Sequence, residues 1–358
     1  MLQTLDATAT AARLPYAALA DAIAQVLRDA RAGRAQAPAR LVMPVPGPGS
    51  LLLMPASNAE IAITKMITVH PHNAAHGLPA IHGEVVVMDA ATGVRRLLLD
   101  GPTVTAHRTA AVSLLAARLL APEPAGDLLL IGAGAQARAH LEAFRMGLGT
   151  RRVTIVTRTE ANAEALAAHA RKLGLEATAV AAGDAAGMAQ AARIVLPYAP
   201  LVITATPSTQ PVLPDLAESG TAGVGQVWRA QHFIAAVGAF RPEMAELPPR
   251  LCMQAAASDR LFADTLTDLD AEAGDLLQAG VPWSCVRPLQ QCIDAAPDIG
   301  AQAAPGCRWC SKAWAVPCGT WPHAPWRCRR RHPFENAASR AKVCYRPHDR
   351  GACNRKPL

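Results

Sequence analysis

Aromatic side chains are scarce in this chain of 358 residues, which holds 5 Phe, 3 Tyr and 6 Trp. A core built without them must be filled by Ala, Leu, Val and Ile, which suits close-packed helices against short buried strands. Also missing is any uninterrupted apolar run of the roughly 20 residues that a bilayer-spanning helix needs. The N-terminus carries no charged-then-apolar leader, so a cytoplasmic protein with no membrane partner is the expectation. The formal net charge of +7 is unevenly spread: residues 301–358 hold 12 Lys and Arg against 2 Asp and Glu, which leaves residues 1–300 at −3. The larger part therefore lacks the basic surface that nucleic acid demands. Cysteine divides at the same place, with Cys252, Cys285 and Cys292 before it and six more crowded beyond it.

The length allows two domains, each with its own core. The opening reads as a helix with Leu19, Ile23, Val26 and Leu27 on one apolar face. A Pro/Gly stretch from Pro44 to Gly49 leads into strands at Ser50 to Met54, Glu60 to Val69 and Glu84 to Met88, the last ending in a turn from Asp89 to Gly93. A helix from about Thr105 to Leu120 follows, stopped by Pro122. This is an α+β unit. From Asp127 strand and helix alternate, with strands expected at Leu128 to Ile131, Val153 to Val156, Ala177 to Val180, Leu201 to Ala205 and Phe233 to Val237. The predicted fold class is therefore α/β: a Rossmann, doubly wound parallel sheet plus an α+β domain.

The strand Asp127 to Ile131 runs into Gly132-Ala-Gly134-Ala135-Gln136-Ala137 and then a helix. Gly132 permits the tight turn, Gly134 lets the backbone approach a pyrophosphate, and Ala137 lets the helix pack against its strand. Free N–H groups at the helix start then face the phosphates. A Gly-rich turn of no function is the bland alternative, and the strand-motif-helix context argues against it. An NAD site usually places an acid about 20 residues further on, at the end of the next strand. Here that strand ends in Thr157-Arg158-Thr159. Arg158 is placed to pair with a 2′-phosphate, with Thr157 and Thr159 as further donors, so NADPH is the expected cofactor, NADH remaining possible.

Lys65 lies in a strand whose alternation puts Ile61, Ile63, Lys65 and Ile67 on one face. A cation on an apolar face needs an anion, either a structural acid or a bound one. Arg108 is expected in the first turn of its helix, where the dipole already attracts anions, so it suggests an imported carboxylate held by a bidentate clamp; a bridge to a neighbouring Glu is the other reading. Arg40 has no such local argument. His70, His72, His76, His82 and His107 lack the spacing of metal ligands, so no metal is expected, and His82 and His107 read as lining or structural residues.

Together these segments resemble the ornithine cyclodeaminase and mu-crystallin family. The resemblance runs to about residue 300 through Pro38-Ala-Arg40, Leu53-Met54-Pro55-Ala56, Lys65, residues 105–111, the Gly132 turn, Ala205-Thr206-Pro207-Ser208, Val237-Gly238-Ala239 and Glu272-Ala-Gly-Asp-Leu276. It implies a homodimer whose residues 1–121 bind substrate and pair the subunits, and whose residues 122–300 bind the cofactor. It also implies that Arg40, Lys65 and Arg108 surround a substrate carboxylate, with Lys65 acting in catalysis. The cofactor would be held by Gly132, Gly134, Ala135, Gln136, Arg158, Thr159, Thr206, Val237 and Gly238. Cyclodeaminases of the family carry an acid shortly after Val-Gly, and Phe240 stands in its place here. That departure favours the ketimine reductase branch, reducing Δ1-pyrroline-2-carboxylate to L-proline or Δ1-piperideine-2-carboxylate to L-pipecolate. An ornithine cyclodeaminase and a non-catalytic NADPH-binding protein of the mu-crystallin kind are the alternatives.

Residues 301–358 hold four of the six Trp, no Ile, no Met and a single Leu, Leu358. No helical or strand pattern fits them, so the tail is expected to be disordered. Relatives would close here with Phe-Lys-Ser-x-Gly. Starting each codon of Trp309 to Trp321 one nucleotide earlier permits Val-Val-Phe-Lys-Ser-Val-Gly, of which the second Val and the Gly are forced, so the tail reads as a shift of frame upstream of Trp309. Cys307, Cys310, Cys318, His323 and Cys328 lack the second Cys-x-x-Cys or His pair that zinc would need.

Overall fold

The first sheet grows from a short lead-in. In the computed structural model β1 (Gln3–Thr4) is followed by α1 (Ala7–Arg13), whose start is set by Asp6 accepting from the Ala9 amide at 2.8 Å, and by α2 (Tyr16–Arg31). Then β2 (Leu41–Val45), β3 (Gly49–Ser57), β4 (Ile61–Val69), β5 (Ile81–Asp89) and β6 (Arg95–Asp100) form an antiparallel meander, with β1 added in parallel at the β6 edge. Val85 pairs with Lys65 across β5 and β4, and both Val85 and the neighbouring Ile67 are buried. That face lies toward α3 (Gly101–Leu120), which packs on β4, β5 and β6. On α2 the core-facing residues are Leu19, Ile23 and Leu27 with Ala20 and Ala24 fully buried between them, while Val26 is half exposed and does not belong to the stripe. Small alanines at those two positions bring α2 close to its neighbours.

The helix α3 begins a full turn before Thr105. Asp100 accepts from the Thr103 amide at 2.8 Å and Pro102 occupies the first turn, a cap and a proline that together start a helix. Arg108 is therefore two turns inside, and the expected help from the dipole does not apply to it. Thr105 and Thr109 lie inside the helix as well. Their hydroxyls donate to the carbonyls of Gly101 and Thr105, four residues back, at 2.9 and 2.8 Å.

The second sheet alternates with helices: β7 (Leu128–Ile131), α4 (Ala135–Leu148), β8 (Arg152–Thr157), α5 (Glu160–Lys172), β9 (Glu176–Ala181), α6 (Ala185–Val195), β10 (Leu201–Thr204) and β11 (Phe233–Ala236). Its order is β11-β10-β7-β8-β9 and every pairing is parallel. The fold is α/β, and each strand lies within two residues of its predicted bounds. All residues of β7 and β10 are buried, as a sheet covered on both faces requires. The winding reverses between β7 and β10, which opens a crevice at their C-terminal ends. The chain continues through α7 (Pro249–Ala257), β12 (Phe262–Ala263), α8 (Leu269–Glu272) and α9 (Gly274–Ala279); β13 (Arg287–Pro288) pairs with β12, and α10 (Gln290–Ala295) returns to α2 and α3. The structure describes residues 2–47, 49–216, 228, 231–267 and 269–295, so the tail and its frame reading lie outside the described residues. Among the described residues no helix is long and apolar enough to cross a membrane.

Candidate active site

A cavity of about 690 Å³ opens at the reversal of the sheet, lined at one end by Thr157, Arg158 and Asn162 and at the other by Ala205 to Gln210, with the Gly132 to Gly134 turn between. Gly132 has φ +115°, a conformation that favours glycine, and a Cβ there would strike the Ala205 carbonyl oxygen. No atom lies within 4 Å of where a Cβ on Gly134 would be, so a ligand can approach that backbone. Gly134 caps α4 without a side-chain acceptor, which leaves the first amides of a 14-residue helix to an external anion. Ala135 and Gln136 form that first turn, and the Gln136 Oε1 is buried with no hydrogen-bond partner among the described residues. Ala137 is fully buried, as close packing on the strand requires. These features fit a dinucleotide.

Beyond β8 the roles differ in detail from the sequence reading. Arg158 is exposed at the mouth of the cavity. The Thr157 hydroxyl donates to the Thr159 carbonyl at 2.7 Å, so its proton is already committed, and Thr159 caps α5 by accepting from the Asn162 amide at 3.4 Å. Asn162, in the first turn of α5, lines the cavity beside Arg158 and was missed because a lone Asn at a helix start has an ordinary capping explanation. Val237 and Gly238 stand at the end of β11, where the Val237 amide donates to the Thr204 carbonyl at 2.9 Å; they face the Thr206 turn and do not line the cavity.

The cations gather elsewhere. Arg40 directly precedes β2, whose first residue Leu41 pairs with Leu53, next to Met54 opposite Lys65. Lys65 itself lies on β4 across from the buried Val85. Arg108 on α3 is pulled below the usual arginine range first by burial, against which the Asp264 charge acts, while the Arg40 charge adds to the lowering. So the structure brings Arg40 and Arg108 into one electrostatic neighbourhood. Arg40 is ion-paired with Glu272, whose side chain is only 6% exposed. His107 is structural: its Nδ1 lies 3.0 Å from the Leu14 carbonyl and its ring stacks on Tyr16. His82 is exposed on β5.

Three acids escaped the sequence reading. Glu246, fully buried, accepts from the Thr206 amide and hydroxyl, both at 2.7 Å, and from the Gly238 amide at 2.6 Å. Burial and the neighbouring Asp275 charge raise it to about 7, against the pull of those three donors. Asp275 accepts from the amides of Glu246 and Leu247 at 2.6 and 2.8 Å, and burial raises it to about 6. Glu272, three residues earlier, holds Arg40. The Glu272 to Leu276 segment contains two of them, but its spacing looks like an ordinary helix turn.

The model of the ornithine cyclodeaminase/mu-crystallin family matches residues 2–279. The Delta(1)-pyrroline-2-carboxylate reductase 1 of Burkholderia multivorans is 38% identical over 291 residues, 81% of this chain and 85% of that protein. The Delta(1)-pyrroline-2-carboxylate/Delta(1)-piperideine-2-carboxylate reductase of Azospirillum brasilense is 37% identical over 288 residues, 80% and 85% of the two chains. The solved Delta(1)-pyrroline-2-carboxylate reductase of Thermococcus litoralis, in complex with NADH and L-proline, superposes with a TM-score of 0.70 at 23% identity over 87% of this chain and 91% of that one. That structure carries the likeness of fold, and the sequence matches carry the kinship. With the match extending from the first strand to α9, this chain belongs to the ornithine cyclodeaminase/mu-crystallin family.

Proposed function

We propose that this chain reduces Δ1-pyrroline-2-carboxylate to L-proline with NAD(P)H, and Δ1-piperideine-2-carboxylate to L-pipecolate as a second substrate. The observation that carries the reading is identity of 38% to a reductase of that name across 81% of the chain, in a molecule that has both a cavity fit for a dinucleotide and a cluster of cations. Bound NAD(P)H supplies the hydride. The start of α4 receives the pyrophosphate at Gly132, Gly134, Ala135 and Gln136, and Arg158 with Thr159 takes a 2′-phosphate, which makes NADPH the preferred coenzyme. Arg40 and Arg108 grip the substrate carboxylate, and Glu272 aims Arg40 while leaving other N–H groups of the guanidinium free. Lys65 orients the same carboxylate from the sheet. Held this way, the protonated imine needs little beyond positioning. A C–H bond forms at C2, the C=N π pair moves to nitrogen, and nitrogen keeps its proton.

Residues 1–121 form the substrate and dimerisation unit and residues 122–300 the Rossmann unit in this reading. A homodimer is supported by the β2 edge, where Leu41, Val42 and Met43 are 52%, 53% and 46% exposed, a run of apolar side chains that a lone edge strand would not keep. A cytoplasmic location follows from the need for reduced coenzyme. Phe240, half exposed under the Arg241 guanidinium, has no proton to move, which argues against ornithine cyclodeamination. The altered tail would weaken the full chain if the substrate unit normally ends in the other frame.

The test follows oxidation of NADPH on addition of Δ1-pyrroline-2-carboxylate, using the full chain and a version with the tail restored in the neighbouring frame. L-Proline should accumulate as coenzyme is consumed. Coenzyme binding without imine reduction in the restored version would point to the non-catalytic alternative, and ammonia with proline from ornithine to the cyclodeaminase. Arg158→Ala should weaken NADPH about tenfold to a hundredfold, the worth of a charge-assisted hydrogen bond, and leave NADH nearly unchanged.

A further inference from the structure

One fully buried carboxylate, Glu246, is bonded to the Thr206 turn that lines the cofactor cavity and takes no part in the reaction as proposed. Glu246 joins two turns that have no backbone hydrogen bonds to each other in the sheet ladder: the Thr206 turn after β10 and the Gly238 turn after β11. Thr206 lines the cavity at the end opposite Arg158, where the nicotinamide half of a dinucleotide would lie. The contact is tight, since a Cβ on Gly238 would strike the Thr206 backbone and come within 2.6 Å of the Glu246 carboxyl carbon. Both oxygens of Glu246 are engaged as acceptors, Oε1 twice and Oε2 once, three bonds that the ionised carboxylate holds more strongly than the neutral acid. Asp275 fixes the Glu246 backbone from α9.

We propose that Glu246 is a positioning residue for the coenzyme: its ionised carboxylate clamps the Thr206 turn to the Gly238 turn, and protonation weakens the clamp and loosens the nicotinamide end of the site. The inference rests on the dinucleotide reading of the cavity given above. Both acceptor positions of Oε1 are filled, so the proton goes to Oε2, which then meets the Gly238 amide as a neutral acceptor, and all three bonds lose their charge assistance. The titratable groups packed around it are Asp275 from α9 and, behind Asp275, the buried Cys252 thiol from α7. Asp275 is itself raised to about 6, so its charge is present where Glu246, at about 7, changes state.

The test is the dissociation constant of NADPH from the full chain, read from coenzyme fluorescence across about two pH units centred on the Glu246 value of about 7. Affinity should fall about threefold to tenfold toward the acid end, as for the loss of one hydrogen bond. Glu246→Gln turns an amide donor toward one of the three donors, so it should bind weakly at every pH and lose the acid limb; comparison of the two proteins cancels ionisation of the coenzyme's own phosphate. Thr206→Val removes only the hydroxyl donor and should displace the limb to higher pH, because a bond to the ionised form is gone. That variant decides the matter if Glu246→Gln does not fold. A limb that persists in Glu246→Gln, or one that Thr206→Val leaves in place, overturns the proposal. A wild-type chain that binds no coenzyme at any pH overturns the parent reading, and this one with it.

Discussion

The cofactor cavity and the cation cluster are built in opposite ways. The cavity comes from consecutive pieces of chain, each turn sitting at the end of its own strand, so its parts are positioned by the parallel ladder of β7, β8 and β10. The cation cluster is assembled from Arg40 before β2, Arg108 inside α3, and the acids Asp264 and Glu272 far along the chain. A site of the first kind survives the loss of one side chain because backbone does much of the binding. One of the second kind depends on individual charges that are costly to leave unpaired once desolvated.

That contrast is broken most directly at Arg108. Arg108→Ala removes a desolvated cation from the cluster, and Arg108 is not among the residues that line the cavity. The expected loss in kcat/KM for the imino acid corresponds to about 2–5 kcal/mol, roughly thirtyfold to several thousandfold, with NADPH affinity unchanged. Arg108→Lys should recover little, since an ammonium cannot reproduce the planar fork. If both variants also lose coenzyme, the two sites are not separable and the comparison fails.

The same contrast explains what could be read in advance. The Gly132 to Ala137 turn, the five parallel strands and Arg158 were legible because each signal is local: a strand, a motif and a helix follow one another within a few residues. The cap of α3 was not, because Asp100-Gly101-Pro102 reads equally well as the turn that ends β6. Glu246, Asp275 and Glu272 were illegible for a different reason. Their partners, Thr206 and Gly238 for Glu246, the Glu246 and Leu247 amides for Asp275 and Arg40 for Glu272, lie from 8 to 232 residues away in sequence, and a lone Glu or Asp carries no mark of its burial. Lys65 was legible as a cation on an apolar face, and its row across the sheet agrees.

Helix α3, which carries Arg108, and α4, which starts at the cavity, meet at a polar joint whose response to acid is set by His140. On α4 its Nδ1 meets the Gln136 carbonyl at 2.7 Å and its Nε2 the Ser113 hydroxyl on α3 at 2.9 Å, with no exposed surface. A carbonyl can only accept, so Nδ1 carries the proton and Nε2 accepts from serine, which is a neutral ring. Burial lowers its pKa from 6.5 to about 4, against the bond to Gln136. The folded value lies below the unfolded one, so the unfolded chain takes up the proton first. The stabilisation is whole above the unfolded value and is lost as pH falls toward about 4. The loss attributable to this residue is about 3 kcal/mol. Its imidazole resonance, identified by its disappearance in His140→Gln, should stay neutral through the range in which an ordinary histidine titrates; titration in that range would show the α3–α4 joint to be open to water.

The smallest effect is expected where the halves meet at Tyr16. Its hydroxyl donates from α2 to Glu142 Oε2 on α4 at 3.1 Å, and its ring stacks on His107 with centroids 4.5 Å apart. Burial, then the Glu142 charge, raise the phenol above its usual pKa, so it remains a donor well into alkaline solution. Tyr16→Phe keeps the stacked ring and removes one hydrogen bond. Glu142 is not left bare, because His169 Nε2 stands 2.7 Å from Oε1 and Arg138 reaches the same oxygen at 3.4 Å. The cost should be about 1 kcal/mol, a fall in Tm of about 2–4 °C, with NADPH affinity and imine turnover unchanged. A larger fall, or a change in KM for the imino acid alone, would mean that the α2–α4 contact sets the geometry of the cation cluster. The two sites would then be coupled through the helices, and the independence inferred from their construction would have to be given up.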